Sequence, residues 1–133
     1  MTTKSYRGSC HCGEVRFEVE LDLAAGTSRC NCSLCAKTRL WKAFLGADAV
    51  QMLAGGRALS EYRFGRRAIQ HLFCSRCGVK VLGRGIGERG SAFYAVNLAC
   101  LDDAEAELAA APVEYQDGRH DAWQRAPGAT QHL

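Results

Sequence analysis

From Glu14 to Glu20 the chain alternates strictly. Val15, Phe17 and Val19 fall on one side, and Glu14, Arg16, Glu18 and Glu20 on the other. A period of two predicts a half-buried antiparallel strand. Trp41–Leu45 reads as another strand, and Val50–Leu53 follows it after a turn over Gly46–Ala49. Leu59–Phe64 and Ala68–Phe73 predict a hairpin around Gly65, Arg66 and Arg67. Val79–Leu82 is extended, and Ser91–Cys100 alternates again as a well-buried strand. Ser28–Cys32 is a short extended piece. Helical windows are few: about one turn within Ser33–Leu40, and a short acidic, alanine-rich helix within Asp102–Ala111. Asp22–Thr27 reads as a small-residue loop, and Gly83–Gly90 as a flexible connection. Tyr115–Leu133 reads as a polar tail with turns at Asp117-Gly118 and Pro127-Gly128. Short strands punctuated by glycine predict an all-β domain, and with neither repeat nor linker one domain spans residues 1–133.

A hydrophobic content of 47% suffices for a core, and no apolar run reaches the length of a transmembrane helix. No apolar signal core follows the opening Met1-Thr-Thr-Lys-Ser-Tyr. The formal charge of +3 counts every cysteine as a neutral thiol. Seven thiolates and two divalent ions would cancel it, so net charge gives no nucleic-acid footprint.

Those seven thiolates are the candidate chemistry. Of 8 cysteines, seven fall in three clusters: Cys10-His-Cys12-Gly, Cys30-Asn-Cys32-Ser-Leu-Cys35 and Cys74-Ser-Arg-Cys77-Gly. An even count also suits disulfides. Yet cysteines one residue apart seldom bridge each other, and nothing marks the chain for export, so metal ligation is the better reading. Reduced thiols fit a cytoplasmic location. Sulfurs about 2.3 Å from a tetrahedral zinc lie about 3.8 Å from one another. In a flat strand, positions i and i+2 are about 6.6 Å apart. Each Cys-x-Cys therefore belongs on a bent strand end or loop.

Cys10, Cys12, Cys74 and Cys77 form two half-sites, each followed at once by glycine, and together they close one structural zinc site. Glycine after the last ligand permits positive φ and turns backbone amides towards the thiolates. A redox role for Cys74 and Cys77 lacks the βαβ context it needs. Cys30, Cys32 and Cys35 supply three ligands to a second zinc and leave a corner open. Three thiolates make zinc a weak Lewis acid that favours a soft fourth ligand such as a substrate thiol. Such a thiol would be held as a thiolate, ready to attack an electrophile. A closed second site would need Cys100, His11 or a distant histidine as the fourth ligand. Cys100 sits in an apolar strand context and reads as packing. His71 reads as a structural or surface residue rather than a ligand. His120 and Asp121 fall in a polar turn, where they either shuttle protons or are simply solvated. Lys37, Arg39 and Lys42 follow the triplet closely, and Lys37 and Arg39 are candidate contacts for substrate carboxylates. Trp41 and Phe44 are pocket wall or core.

The chain resembles the glutathione-dependent formaldehyde-activating enzyme family, which also includes centromere protein V. The resemblance is carried by Gly8-Ser-Cys10-His-Cys12-Gly-Glu-Val15-Arg-Phe17, by Arg29-Cys30-Asn-Cys32-Ser-Leu-Cys35-Ala-Lys37, by Phe73-Cys74-Ser-Arg-Cys77-Gly78, and by Val96-Asn97 with Leu101-Asp102. It implies a β-tent fold, with zinc-tied antiparallel sheets and two Zn2+ per chain divided four and three as above. It implies a carbon–sulfur lyase that adds glutathione to formaldehyde, giving S-hydroxymethylglutathione, or cleaves it. The partners would be a small thiol and an aldehyde, with no nucleic acid and no membrane. Ala36-Lys-Thr-Arg-Leu-Trp-Lys-Ala43 lacks the glycine-containing continuation of many members, and this segment should border the open metal. The alternatives are a non-catalytic zinc-stabilised β module that binds a protein, and a methionine-sulfoxide-reductase-like redox enzyme. The latter usually has two Cys-x-x-Cys metal pairs, where this chain has one.

Overall fold

In the computed structural model, which describes residues 3–133, the alternating segment is a strand, β2 (Arg16–Leu21). Val15, Phe17 and Val19 are fully buried, whereas Arg16 and Glu20 are exposed. Each buried side chain of this kind stabilises the fold by roughly 1.5–3 kcal/mol. On one side β2 pairs with β1 (Lys4–Ser9) and on the other with β3 (Val50–Ala54), which makes a small antiparallel sheet.

The second sheet has seven strands. In chain order they are β4 (Thr27–Cys30), β5 (Trp41–Gly46), β6 (Leu59–Tyr62), β7 (Gln70–Cys74), β8 (Lys80–Ile86), β9 (Ala92–Asn97) and β10 (Val113–Gln116). Across the sheet they run β10-β4-β5-β9-β8-β7-β6, all antiparallel except the parallel pair β10 and β4. The core lies between the two sheets. Tyr6, Phe17, Val19 and Leu21 of the small sheet meet Ala43, Val81, Leu82 and Val96 of the large one. Two short helices, α1 (Ser33–Thr38) and α2 (Glu105–Ala110), complete a mainly β molecule.

The predicted hairpin, the helical turn after the triplet and the acidic helix all form, with ends moved by one to three residues. Four segments differ from the sequence reading. Lys4–Ser9, which shows no long alternation, becomes β1 because β2 offers it a complete ladder from Lys4 opposite Leu21 to Ser9 opposite Arg16. The first half of the glycine-rich segment is no connection: Gly83, Arg84, Gly85 and Ile86 belong to β8. The glycine at 85 is a packing residue, since a Cβ there would stand 2.7 Å from both Ile69 and Phe93. The start of the polar tail is β10, and beyond it Asp117 N–H donates to Arg125 O at 3.0 Å, which folds the following residues back. The Ser91–Cys100 strand stops at Asn97, whose side chain accepts from Ala99 N–H and opens a 3-10 turn. Among the described residues no helix is long and apolar enough to cross a membrane.

Candidate metal centres and substrate site

The four glycine-marked cysteines meet where the two sheets join. Cys10 and Cys12 lie in the turn between β1 and β2; Cys74 ends β7, and Cys77 lies in the turn from it to β8. Their sulfurs all lie within 4.8 Å of one another, with Cys10 to Cys12 at 3.6 Å and Cys12 to Cys74 at 3.7 Å. Those edges suit a tetrahedron of about 3.8 Å around zinc, so the donor set fits the metal. Gly13 and Gly78 adopt φ of +80° and +81°, the left-handed turn the pattern requires. Val15 N–H donates to Cys10 Sγ at 3.3 Å, and amides of Val79 and Cys12 draw the Cys77 thiol down to about 6. One cluster thus links the small sheet to the large one. Neither Cys-x-Cys lies within a flat strand.

The triplet is built at the end of β4. Cys30 closes the strand, Cys32 caps α1 by accepting from Cys35 N–H at 3.4 Å, and Cys35 lies within the helix. Their sulfurs also lie within 4.8 Å of one another. Among the described residues, no fourth histidine, cysteine or carboxylate joins that group. Cys30 and Cys35 are buried and Cys32 is half-exposed. Hydrogen bonds from Cys30, then Cys35, hold the Cys32 thiol far below the usual thiol range, while Cys30, Cys32 and burial push Cys35 up. Three sulfurs gathered within 4.8 Å of one another are a donor set suited to a divalent soft metal.

The surroundings are cationic. Lys42 is 5% exposed, and its positive charge acts on Cys35. Lys80 is half-buried, with Nζ 2.9 Å from His71 Nδ1. Burial lowers the Lys80 pKa first of all, opposed by the sulfurs of Cys35 and Cys32. His71 is pushed down to about 4, by burial and then by Lys80, so it is neutral near pH 7 and accepts from the lysine. Its ring stacks on Phe64 at 5.4 Å. Beside α1 lies a cavity of about 380 Å3, lined by Leu34, Tyr62, His71, Phe73 and Lys80 among others.

The sequence reading missed what holds the triplet from behind. Asn31 donates to Asp117 Oδ1 at 2.9 Å and accepts from Arg119 N–H at 2.9 Å. His120 Nδ1 lies 2.9 Å from the same carboxylate, and these contacts hold Asp117 below the usual carboxylate range, Asn31 first. Gly118 lies directly over Cys30, where a Cβ would come 2.6 Å from Cys30 Sγ. The local signal was a turn dipeptide; its packing role depends on β10 pairing with β4.

Of the other candidates, His71 is half-buried, lines the cavity and lies against Lys80. Cys100 is buried in the core, and its thiol donates to Lys80 O at 3.5 Å. His120 is largely exposed, and Asp121 accepts from Trp123 Nε1 at 2.7 Å. Lys37 is exposed on α1 beside Tyr62 and Phe64, and Arg39 is exposed at the left-handed end of that helix. Trp41 packs at the core edge and donates to Thr27 Oγ1 at 2.7 Å; Phe44 is exposed and contacts Phe93.

Residues 5–117 match the sequence profile of the family described as glutathione-dependent formaldehyde-activating enzyme. The chain belongs to that family. A crystal structure of a Rhodobacter sphaeroides protein, a structural genomics target, is 32% identical, with a TM-score of 0.68. The likeness covers 81% of this chain and 99% of that one. The family match spans both cysteine clusters and ends at Asp117, the residue that ties β10 to the triplet.

Proposed function

We propose that the protein adds a small thiol to formaldehyde or a related aldehyde and catalyses the reverse cleavage, as a zinc-dependent carbon–sulfur lyase. Glutathione is the thiol that family membership supports. The observation that carries this reading is the triplet: three gathered sulfurs with no fourth protein ligand among the described residues, at a helix that borders a cavity lined by Lys80, with the charges of Lys42 and Lys80 acting on the sulfurs. Zinc held by Cys30, Cys32 and Cys35 would bind the substrate thiol as a thiolate.

The chain's own residues supply the rest. Lys42 and Lys80 offset the negative charge gathered by the sulfurs, in a buried setting where a charge acts strongly. In the forward direction a carbon–sulfur bond forms as the carbonyl π bond breaks, and the new alkoxide needs one proton. We assign that proton to the Lys80 ammonium, whose Nζ lies 2.9 Å from His71 Nδ1; in reverse the amine takes it back. Tyr62, Phe73 and Leu34 supply apolar walls to the cavity. Lys37 and Arg39 serve as outer contacts for a substrate carboxylate. Cys10, Cys12, Cys74 and Cys77 would hold a structural zinc. The thiolates required fit a reducing compartment such as the cytoplasm.

The test is exchange spectroscopy of S-hydroxymethylglutathione formation and breakdown, with the spontaneous rate subtracted. Acceleration by the zinc protein and its loss in Cys32→Ser support the lyase. No acceleration with glutathione or other thiol–aldehyde pairs would favour a non-catalytic binding module.

A further inference from the structure

Among the described residues, three buried polar atoms have no hydrogen-bond partner: Ser28 Oγ, Lys42 Nζ and Gln116 Oε1. All three residues line one cavity of about 340 Å3, although the three polar atoms themselves are covered and would have to turn to meet a ligand there. They come from neighbouring strands of the large sheet. Ser28 of β4 stands opposite Lys42 of β5, while β10 sets Glu114 beside Ser28 and Gln116 beside Cys30. Ala43 points into the core, so Lys42 takes the outer face. Cys30 lies two residues from Ser28, and strand alternation puts both on that same face.

An unpaired ammonium that is 5% exposed is a costly arrangement. Its nearest aromatic contact, the Phe44 ring centroid at 5.7 Å, offsets little of that cost. A buried cation, a hydroxyl and an amide oxygen without partners, together at one cavity, constitute an unmet set of donors and an acceptor.

We propose that Lys42, Ser28 and Gln116 form the subsite for a zwitterionic α-amino-acid head on the substrate thiol. This rests on the thiol reading above and names the part of the thiol that this chain grips. Lys42 and the Ser28 hydroxyl donate to the carboxylate. Gln116 Oε1 accepts an N–H from the ammonium. Glu114, exposed at the rim, completes the charge pattern: it favours the ammonium and repels a dianion such as phosphate. The four-carbon Lys42 stem lets its head turn into the cavity when a carboxylate arrives. No bond is made or broken there; Lys42 positions the thiol whose sulfur reaches the triplet.

The test uses the zinc-loaded protein and S-methylglutathione, which keeps both carboxylates and the ammonium but has no thiol. Calorimetry should show binding to the native chain that weakens roughly ten- to hundredfold in Lys42→Met, the loss of one charge-assisted contact. Deaminated S-methylglutathione should bind the native chain more weakly than its parent, and Gln116→Leu should remove that difference. In parallel, 2-mercaptoethanol is titrated into the cobalt-substituted protein; because the Lys42 charge also acts on Cys35, Lys42→Met should weaken that thiolate absorption response, but by clearly less than it weakens S-methylglutathione binding. Unchanged S-methylglutathione binding in Lys42→Met, or no binding to the native chain, overturns the subsite and leaves ordered water as the partner of the three atoms. A folded Lys42→Met chain that weakens 2-mercaptoethanol as much as S-methylglutathione also overturns it, because the lysine would then act on the metal site alone. A native cobalt site blind to 2-mercaptoethanol would contradict thiol ligation instead, while the S-methylglutathione arm still decides the subsite.

Discussion

A cysteine triplet depends on the atoms that crowd it. Gly118 lies where any side chain would meet Cys30 Sγ at 2.6 Å and the Trp123 ring at 2.5 Å. Gly118→Ala therefore displaces either the sulfur or the tail. We expect it to weaken metal binding at the triplet by roughly 10–100-fold and leave the four-sulfur site loaded, read by chelator competition. Equal weakening of both sites would contradict a local role. His71 gives a second residue-level test. Its folded pKa of about 4 lies below the ordinary 6.5, so over that window the unfolded chain binds more protons. The stability that neutral His71 contributes is present above pH 6.5 and is lost as pH falls towards 4. An NMR titration of its ring should show a midpoint near 4; a midpoint at or above 6.5 would contradict burial beside the Lys80 ammonium.

At the scale of elements, β10 carries more than its composition suggests. Its register sets Gln116 against Cys30, and Asp117 then takes hydrogen bonds from Asn31 and His120. Asp117→Ala leaves Asn31 without its buried partner. We expect it to cost about 2–3 kcal/mol in urea unfolding of the zinc-loaded chain. A change under about 0.5 kcal/mol would mean the tail is not needed to hold β4. The sequence could not disclose this element. Val113–Gln116 has no long alternation, and its partner strand lies far back along the chain. The strand β2 was legible because one face is buried and the other solvated, which imprints the period of two on the residues themselves. β8 was misread for the opposite reason: Gly85 is there to admit the rings and methyl groups that lie over it, and a packing glycine looks like a turn glycine in one dimension. The cysteine clusters were legible because ligand spacing is local. The burial of Lys42, and the orphan atoms beside it, came only from cross-strand neighbours.

For the whole molecule, the two cysteine clusters have different mechanical roles. The four-sulfur cluster joins turns from both sheets, whereas the triplet sits on the outer side of one sheet, on β4 and α1. Metal held by the first cluster is coupled to folding of the whole chain. Cys74→Ser should therefore unfold or aggregate the protein, while Cys32→Ser should stay largely folded and retain about one zinc. Circular dichroism and elemental analysis on both variants check this, and greater damage from Cys32→Ser would reverse the roles. On the proposed mechanism the triplet keeps one corner for a substrate sulfur. The most direct measurement is the thiolate-to-cobalt absorption of the cobalt-substituted protein during glutathione titration. A saturable increase, equivalent to one added sulfur and absent in a folded Cys35→Ser chain, is the predicted result. An unchanged spectrum at saturating glutathione would contradict the account.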